Sequence, residues 1–165
     1  MLVVNSFLGD EDMIKEFKND IETTKFTLRN YEKYALSMLT KTEANLIGSI
    51  QSHQLYRNRT EHDDKCIDAI EKCFKNVPPI PFDIVAWRAG DMKCHNRPFV
   101  PATFLKEAAY FYAHDDEKKI HKIILKKGSK IFPLRALGKD YGDGEAEIII
   151  ETANLKKRFR HYIYK

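Results

Sequence analysis

Two carboxylates and one guanidinium stand out as residues able to do chemistry. Glu145 and Glu147 lie two positions apart in "YGDGEAEIII" (141–150), after a Gly-Asp-Gly turn and directly before three isoleucines. Residues two apart on a strand project from one face, so this spacing predicts that both carboxylates point the same way. Ile148, Ile149 and Ile150 cover both faces of that strand, so it sinks into the core immediately after Glu147. Glu147 is therefore expected at the rim of the apolar interior, where a carboxylate is partly desolvated and its field less screened. The two glycines let the backbone approach a ligand closely. Arg88 ends "DIVAWR" (83–88) and opens into "AGD", and a guanidinium at a strand end is well shaped for bidentate contact with phosphate. Each piece alone also has an ordinary reading: a solvated acidic turn, and an arginine snorkelling at a strand edge or pairing a nearby carboxylate.

The elements that must position these groups divide the chain by period. From about residue 10 to 79 the signals are helical. Tyr31, Tyr34, Ala35, Met38 and Leu39 recur at three-and-four spacing, as do Cys66, Ile67, Ile70, Cys73, Phe74 and Val77, which Pro78-Pro79 terminates. "SHQLYRNRTEHDD" between them reads as a loop or frayed helix end, with Asp63 or Asp64 as the expected N-cap. From about residue 80 to 165 strands dominate. "DIVAWR" reads as a short buried strand, and the two prolines of "RPFVPAT" (97–103) argue for an edge or irregular strand. "FLKEAAYFYAH" (104–114) is helical, "KIHKIILKKGSKIFPL" (119–134) is two extended pieces around a Gly-Ser turn, and "EIIIE" and "KKRFRHYIYK" complete the set. The expectation is one α+β domain over residues 1–165, a helical N-terminal half packed on a strand-rich C-terminal half.

Composition narrows the function classes. The chain has 165 residues, 43% apolar and 32% charged, which suits a globular protein with a real core. A net charge of +4 is only a weak argument for a nucleic-acid partner. No apolar run reaches the length of a membrane span, so no membrane partner is expected. The opening "MLVVNSFLG" lacks a basic leader, and no export by that route is expected. Cys66, Cys73 and Cys94 have no framework spacing, which fits a reducing cytoplasm. Cys94-His95, His62, Cys66 and Cys73 lack paired metal-ligand spacing, and "HDDEKK" (114–119) lacks that of a calcium loop, so no metal is expected. No cysteine has a recognisable histidine partner for nucleophilic work.

In order and spacing the strand-rich half resembles the toxin-like mono-ADP-ribosyltransferases of the Arg-Ser-Glu class, phage-encoded members included. The pieces are "VAWRAG" (85–90), "PFVPAT" (98–103) followed by "EAAYFYA" (107–113), "ILKKGSKIF" (124–132) and the Glu-x-Glu of "GEAEIII" (144–150). The helix and proline link "DDKCIDAIEKCFKNVPPIPFDIVAWR" also looks like what precedes the family's arginine strand, and the resemblance spans roughly residues 44–163. It implies two small, mainly antiparallel sheets forming a cleft for NAD, and transfer of ADP-ribose from NAD to a protein side chain.

The same resemblance implies residue roles. Glu147 would stabilise the oxocarbenium-like ribose and hold its 2′-hydroxyl, and Glu145 would orient and help deprotonate the nucleophile. A glutamate at that place goes with arginine as the modified residue. Arg88 would clamp the NAD phosphates and the backbone of Ala89 would meet the nicotinamide amide. Phe104 is the expected stacking partner of nicotinamide, with Tyr110 the alternative. Arg57 is carried over from the family's adenosine-binding region near "IQSHQLYRNR" (50–59), and Tyr141 is placed where an aromatic meets the target protein. Where the family has Ser-Thr-Ser, this chain has Pro101-Ala102-Thr103, so Thr103 keeps one hydroxyl and proline cannot give Glu147 the first serine's hydrogen bond. NAD hydrolysis is the expected side reaction. The implied setting is a phage or bacterial effector acting on a target protein in the host cytoplasm. Two other readings stay open: a catalytically silent member that binds a host complex, and a nucleic-acid-binding module on the basic, aromatic tail 156–165.

Overall fold

The computed structural model describes residues 14–49, 55, 57–90, 97–113, 119–138, 145–155 and 159–161. Helix α1 (Asp20–Thr27) is capped by the Asn19 side chain and runs through a π-helical turn (Leu28–Glu32) into α2 (Lys33–Met38). Tyr31 and Ala35 are buried, and Tyr34 and Leu39 pack against the same core. Met38 belongs to the expected stripe but is exposed, because the helix ends there and Leu39 turns into extended backbone. Helix α3 (Lys41–Gly48) is capped by Thr40.

Thr60, rather than Asp63 or Asp64, caps α4 (Glu61–Asn76): its hydroxyl accepts from the Asp63 amide at 3.0 Å. Extended backbone at Thr60 places its oxygen over the first turn, while Glu61, Asp63 and Asp64 bring negative charge to the positive end of the helix dipole. Cys66, Ile67, Ile70, Cys73 and Phe74 form the buried stripe that their spacing predicts. Burial pushes the Cys66 thiol up and the Cys73 thiol up to about 12, so neither is a thiolate at neutral pH.

Strands β1 (Ile84–Ala89), β2 (Phe99–Thr103), β3 (Ile120–Leu125), β4 (Ile131–Pro133), β5 (Glu147–Glu151) and β6 (Phe159–His161) make an antiparallel sheet in the order β4-β5-β2-β1-β3-β6. Helix α5 (Lys106–Ala113) links β2 to β3, and a short helix, α6 (Thr152–Leu155), follows β5. The sheet consists of two three-stranded halves. Each half is laddered internally, but β1 and β2 meet at the pair Trp87↔Thr103. The two small sheets implied by the sequence are these halves, joined at one rung.

Strand β2 is central, with β5 on one side and β1 on the other, so its prolines do not mark an edge. Alternation explains why Pro101 is tolerated. The Phe104 amide and Pro98 carbonyl bond toward β5, so even positions of β2 face that strand and odd positions face β1. The donor that Pro101 lacks would therefore point to the β1 side, past the last rung, where the two strands diverge.

The apolar half of β5 behaves as its sequence predicts. Ile148, Ile149 and Ile150 are all 0% exposed, and each contributes about 1.5–3 kcal/mol by burial. Ile84 and Ala86 of β1 join the main core with the N-terminal helices, while Val85 and Trp87 point the other way and pack with Ala109 of α5. No helix of the described residues is long and apolar enough to cross a membrane. Of the basic tail, the backbone of β6 pairs with β3; residues 156–158 and 162–165 lie outside the described residues.

Candidate active site

The site is organised on one row across three strands. Trp87 of β1 pairs with Thr103 of β2, and Thr103 pairs with Glu147 of β5. Cross-strand partners project from the same face, so these three side chains line up across the joint between the half-sheets. Arg88 is the next residue along β1.

Beyond this row β1 and β2 separate, and Arg88 fills the opening. Its guanidinium is buried and Nη1 donates to the Pro101 carbonyl at 2.6 Å. The Pro101 carbonyl thus keeps a donor where the β1–β2 ladder has ended. Ala89 follows with its N–H and C=O turned toward the same opening, because Gly90 donates to Lys119 on the β3 side and neighbouring residues alternate. The turn that ends β1 is held from β3 by His121, which is buried and whose Nε2–H donates to the Gly90 carbonyl at 2.9 Å. Gly90 has φ +96°, a left-handed backbone that favours glycine.

The glutamates are positioned differently from a plain strand. β5 begins at Glu147, and Glu145 lies in the turn before it, separated by Ala146 at φ +44°. A left-handed, non-glycine residue costs of order 1 kcal/mol or more, and local hydrogen bonds hold it here. The Ala146 carbonyl accepts from the Phe104 amide at 3.1 Å, and the Thr103 hydroxyl donates to the Glu145 carbonyl while accepting from the Leu105 amide. Strand alternation therefore does not set the relation of the two carboxylates; the Ala146 turn does. They remain close enough to interact. Burial, and then the negative charge of Glu145, push the Glu147 carboxyl up to about 7.

Tyr112, near the end of α5, completes this corner. Burial, and then the charges of Glu145 and Glu147, raise the pKa of its phenol. Periodicity alone does not single it out. The signal in the sequence is the run Tyr110-Phe111-Tyr112, three aromatics in succession that one buried helix face cannot all occupy. Close by, the Lys106 and Lys122 ammonium groups lie 5.2 and 5.6 Å from the centre of the Trp87 ring.

Phe104 is not available as a stacking surface. It is 1% exposed, with its ring 4.9 Å from Phe17 and 5.7 Å from Phe26, because the chain turns inward between β2 and α5. The alternative, Tyr110, is partly exposed and carries Lys106 at 5.7 Å. Arg57 is engaged on α4, where it pairs with Asp68 at 3.1 Å and Glu71 at 2.6 Å. Tyr141 and the Gly-Asp-Gly turn lie outside the described residues, as do Cys94 and His95. Among the described residues no group of three or more His, Cys, Asp or Glu is placed to hold a metal ion.

No protein-family model and no curated protein sequence matches the chain. Solved structures do. Plx2a, an ADP-ribosyltransferase toxin from Paenibacillus larvae, superimposes with a TM-score of 0.64 at 15% identity, covering 84% of this chain and 86% of the toxin. An ADP-ribosyltransferase from Clostridium botulinum gives 0.62 at 17% identity, with 84% of this chain and 86% of that enzyme covered. The Clostridium limosum C3 exoenzyme gives 0.52 at 17% identity, with 85% of each chain covered. The chain shares the fold of these ADP-ribosyltransferases.

Proposed function

We propose that the chain is an NAD-dependent protein mono-ADP-ribosyltransferase of the Glu-x-Glu subgroup, directed at arginine. The observation that carries this reading is the partly buried Glu147, in register with Thr103 at the joint of the half-sheets and one row from Arg88. The fold shared with ADP-ribosyltransferase toxins supports it.

In this reading NAD lies along the opening between β1 and β2. Arg88 holds its phosphates, and Lys106 and Lys122 add positive field. The Ala89 backbone meets the nicotinamide amide, and Thr103 fixes the turn that carries both glutamates. The bond from ribose C1′ to the nicotinamide nitrogen breaks with its electron pair leaving on nicotinamide. Ionised Glu147 stabilises the positive charge left on the sugar, a preorganised electrostatic effect worth about a hundredfold to a thousandfold in rate. An acceptor nitrogen then gives its lone pair to C1′, and the proton it loses passes to Glu145 and on to water. Water in the acceptor's place yields free ADP-ribose. The whole chain acts as one domain, and the setting is a phage or bacterial effector acting on a target protein in the host cytoplasm.

The test is transfer of label from NAD, carrying the isotope in its adenylate phosphate, to proteins of a host-cell lysate. The wild type is expected to label discrete protein bands, and Glu147→Gln and Arg88→Ala to lose them. Bands that persist with Glu147→Gln would contradict the assignment.

A further inference from the structure

One face of β3 is apolar with a single exception. Ile123 and Leu125 join the main core, and His121, two residues before Ile123, projects from the same face at 5% exposure. An imidazole there carries a desolvation cost that an apolar side chain would not, so its place calls for a polar task. The structure supplies one, since Nε2 lies 2.9 Å from the Gly90 carbonyl oxygen. A carbonyl only accepts, which fixes the proton on Nε2. The Gly90 amide is held as well, donating to the Lys119 carbonyl at 2.9 Å. Both polar groups of Gly90 are thus tied down from the β3 side. His121 is also the register partner of Arg88. Cross-strand partners project from the same face with Cβ atoms about 5 Å apart, so the imidazole stands beside the Arg88 side chain. It does so on the flank away from Pro101, because β3 and β2 lie on opposite sides of β1.

We propose that His121 is a positioning residue for NAD: through the Gly90 carbonyl it fixes the turn that aims the Ala89 backbone into the cleft, and its ring keeps Arg88 on the Pro101 side of β1. This inference rests on the ADP-ribosyl-transfer reading and names a residue that serves the donor through two others. His121 itself touches neither NAD nor the reacting bond. Without its hydrogen bond the Gly90 carbonyl is free to turn to water, and the turn samples conformers in which the Ala89 N–H and C=O no longer face the nicotinamide amide. The apparent affinity for NAD then falls in proportion to the fraction of molecules whose turn is correctly set. An NAD molecule that has bound still meets the same Glu147. The loss therefore falls on affinity rather than on the bond-breaking step.

The chain's single tryptophan, Trp87, precedes Arg88 on β1, so its fluorescence reports NAD entering the cleft. The experiment measures two quantities on the full chain: the Kd for NAD from that signal, checked by calorimetry, and kcat for nicotinamide release at saturating NAD. His121→Phe keeps a ring and removes the donor. It is expected to raise the Kd about fivefold while kcat stays within about twofold, the loss of one hydrogen bond that orders the site. His121→Gln, whose amide N–H reaches the same carbonyl, is expected to restore most of the affinity. Ile123→Val, on the same face of β3, is the control: its melting temperature falls by about 2–4 °C and its Kd for NAD does not move. His121→Asn, whose amide is too short to reach Gly90, takes the place of His121→Phe if that variant does not fold. A wild-type Kd in His121→Phe, or an equal rise in His121→Gln, would overturn the inference. A wild type that binds no NAD by either method would instead overturn the enzyme reading, and this inference with it.

Discussion

The Thr103 hydroxyl donates to the Glu145 carbonyl and accepts from the Leu105 amide, so one side chain ties the end of β2 and the approach to α5 to the turn bearing both glutamates. Thr103→Val keeps the shape but leaves two buried backbone groups without this partner. It is expected to cost about 2 kcal/mol in denaturant unfolding and to lower NAD cleavage at least tenfold. Thr103→Ser keeps the hydroxyl and is expected to lose much less of either.

Arg88 has two tasks, the Pro101 carbonyl and, in the proposed mechanism, the phosphates of NAD. Lysine offers one point charge in place of a planar fork and cannot serve both. Arg88→Lys is expected to raise the KM for NAD by about tenfold to a hundredfold, the cost of one or more charge-assisted hydrogen bonds, with a smaller change in kcat. Titrating initial rates against NAD checks it; equal losses in kcat and kcat/KM would place Arg88 at the reacting bond instead.

The raised carboxyl of Glu147 makes a signed prediction. Between its ordinary 4.5 and about 7 the folded protein holds a proton that the unfolded chain has released, so this residue makes stability fall as pH rises through that window. Glu147→Gln removes the penalty. The variant is expected to be more stable than the wild type by up to about 3 kcal/mol near pH 8, an advantage that closes toward low pH. Unfolding midpoints across that range decide the sign.

The same group sets a pH profile for activity. In the proposed mechanism NAD cleavage needs the ionised form, so in the wild type it is expected to rise with pH through a midpoint near 7. Glu145→Gln removes a like charge and is expected to move that midpoint down, because burial alone then holds the carboxyl up. A midpoint that stays put would mean that another group limits the rate.

Pro101 contributes its carbonyl to Arg88, and any residue there has a carbonyl. Pro101→Ser is therefore expected to leave the KM for NAD within a few-fold of the wild type. A serine variant whose NAD cleavage rises tenfold or more would show that Glu147 lacks a side-chain hydrogen bond in the wild type.

What the sequence makes legible follows local rules. The stripe of α4, the isoleucines of β5 and the Gly-Ser turn before β4 are decided by neighbours within a few residues, and all are seen in the fold. The rest depends on distant partners. Pro101 suggests an edge strand, yet the sheet opens beside it, and that opening depends on where β1 lies. Phe104 looks available for stacking, but Phe17 and Phe26, far away in the chain, close over it. Arg57 matches by position in the sequence alone, and its carboxylate partners sit about two and three turns along α4. The spacing of Glu145 and Glu147 suggests strand alternation, whereas a left-handed Ala146 sets their relation.

Release of nicotinamide from NAD by the purified protein, compared between wild type and Glu147→Gln at about pH 8, tests the central claim most directly. The proposed chemistry predicts slow turnover by the wild type that falls by about a hundredfold or more in the variant, while the variant melts at the same or a higher temperature. Equal release by the two proteins would contradict it.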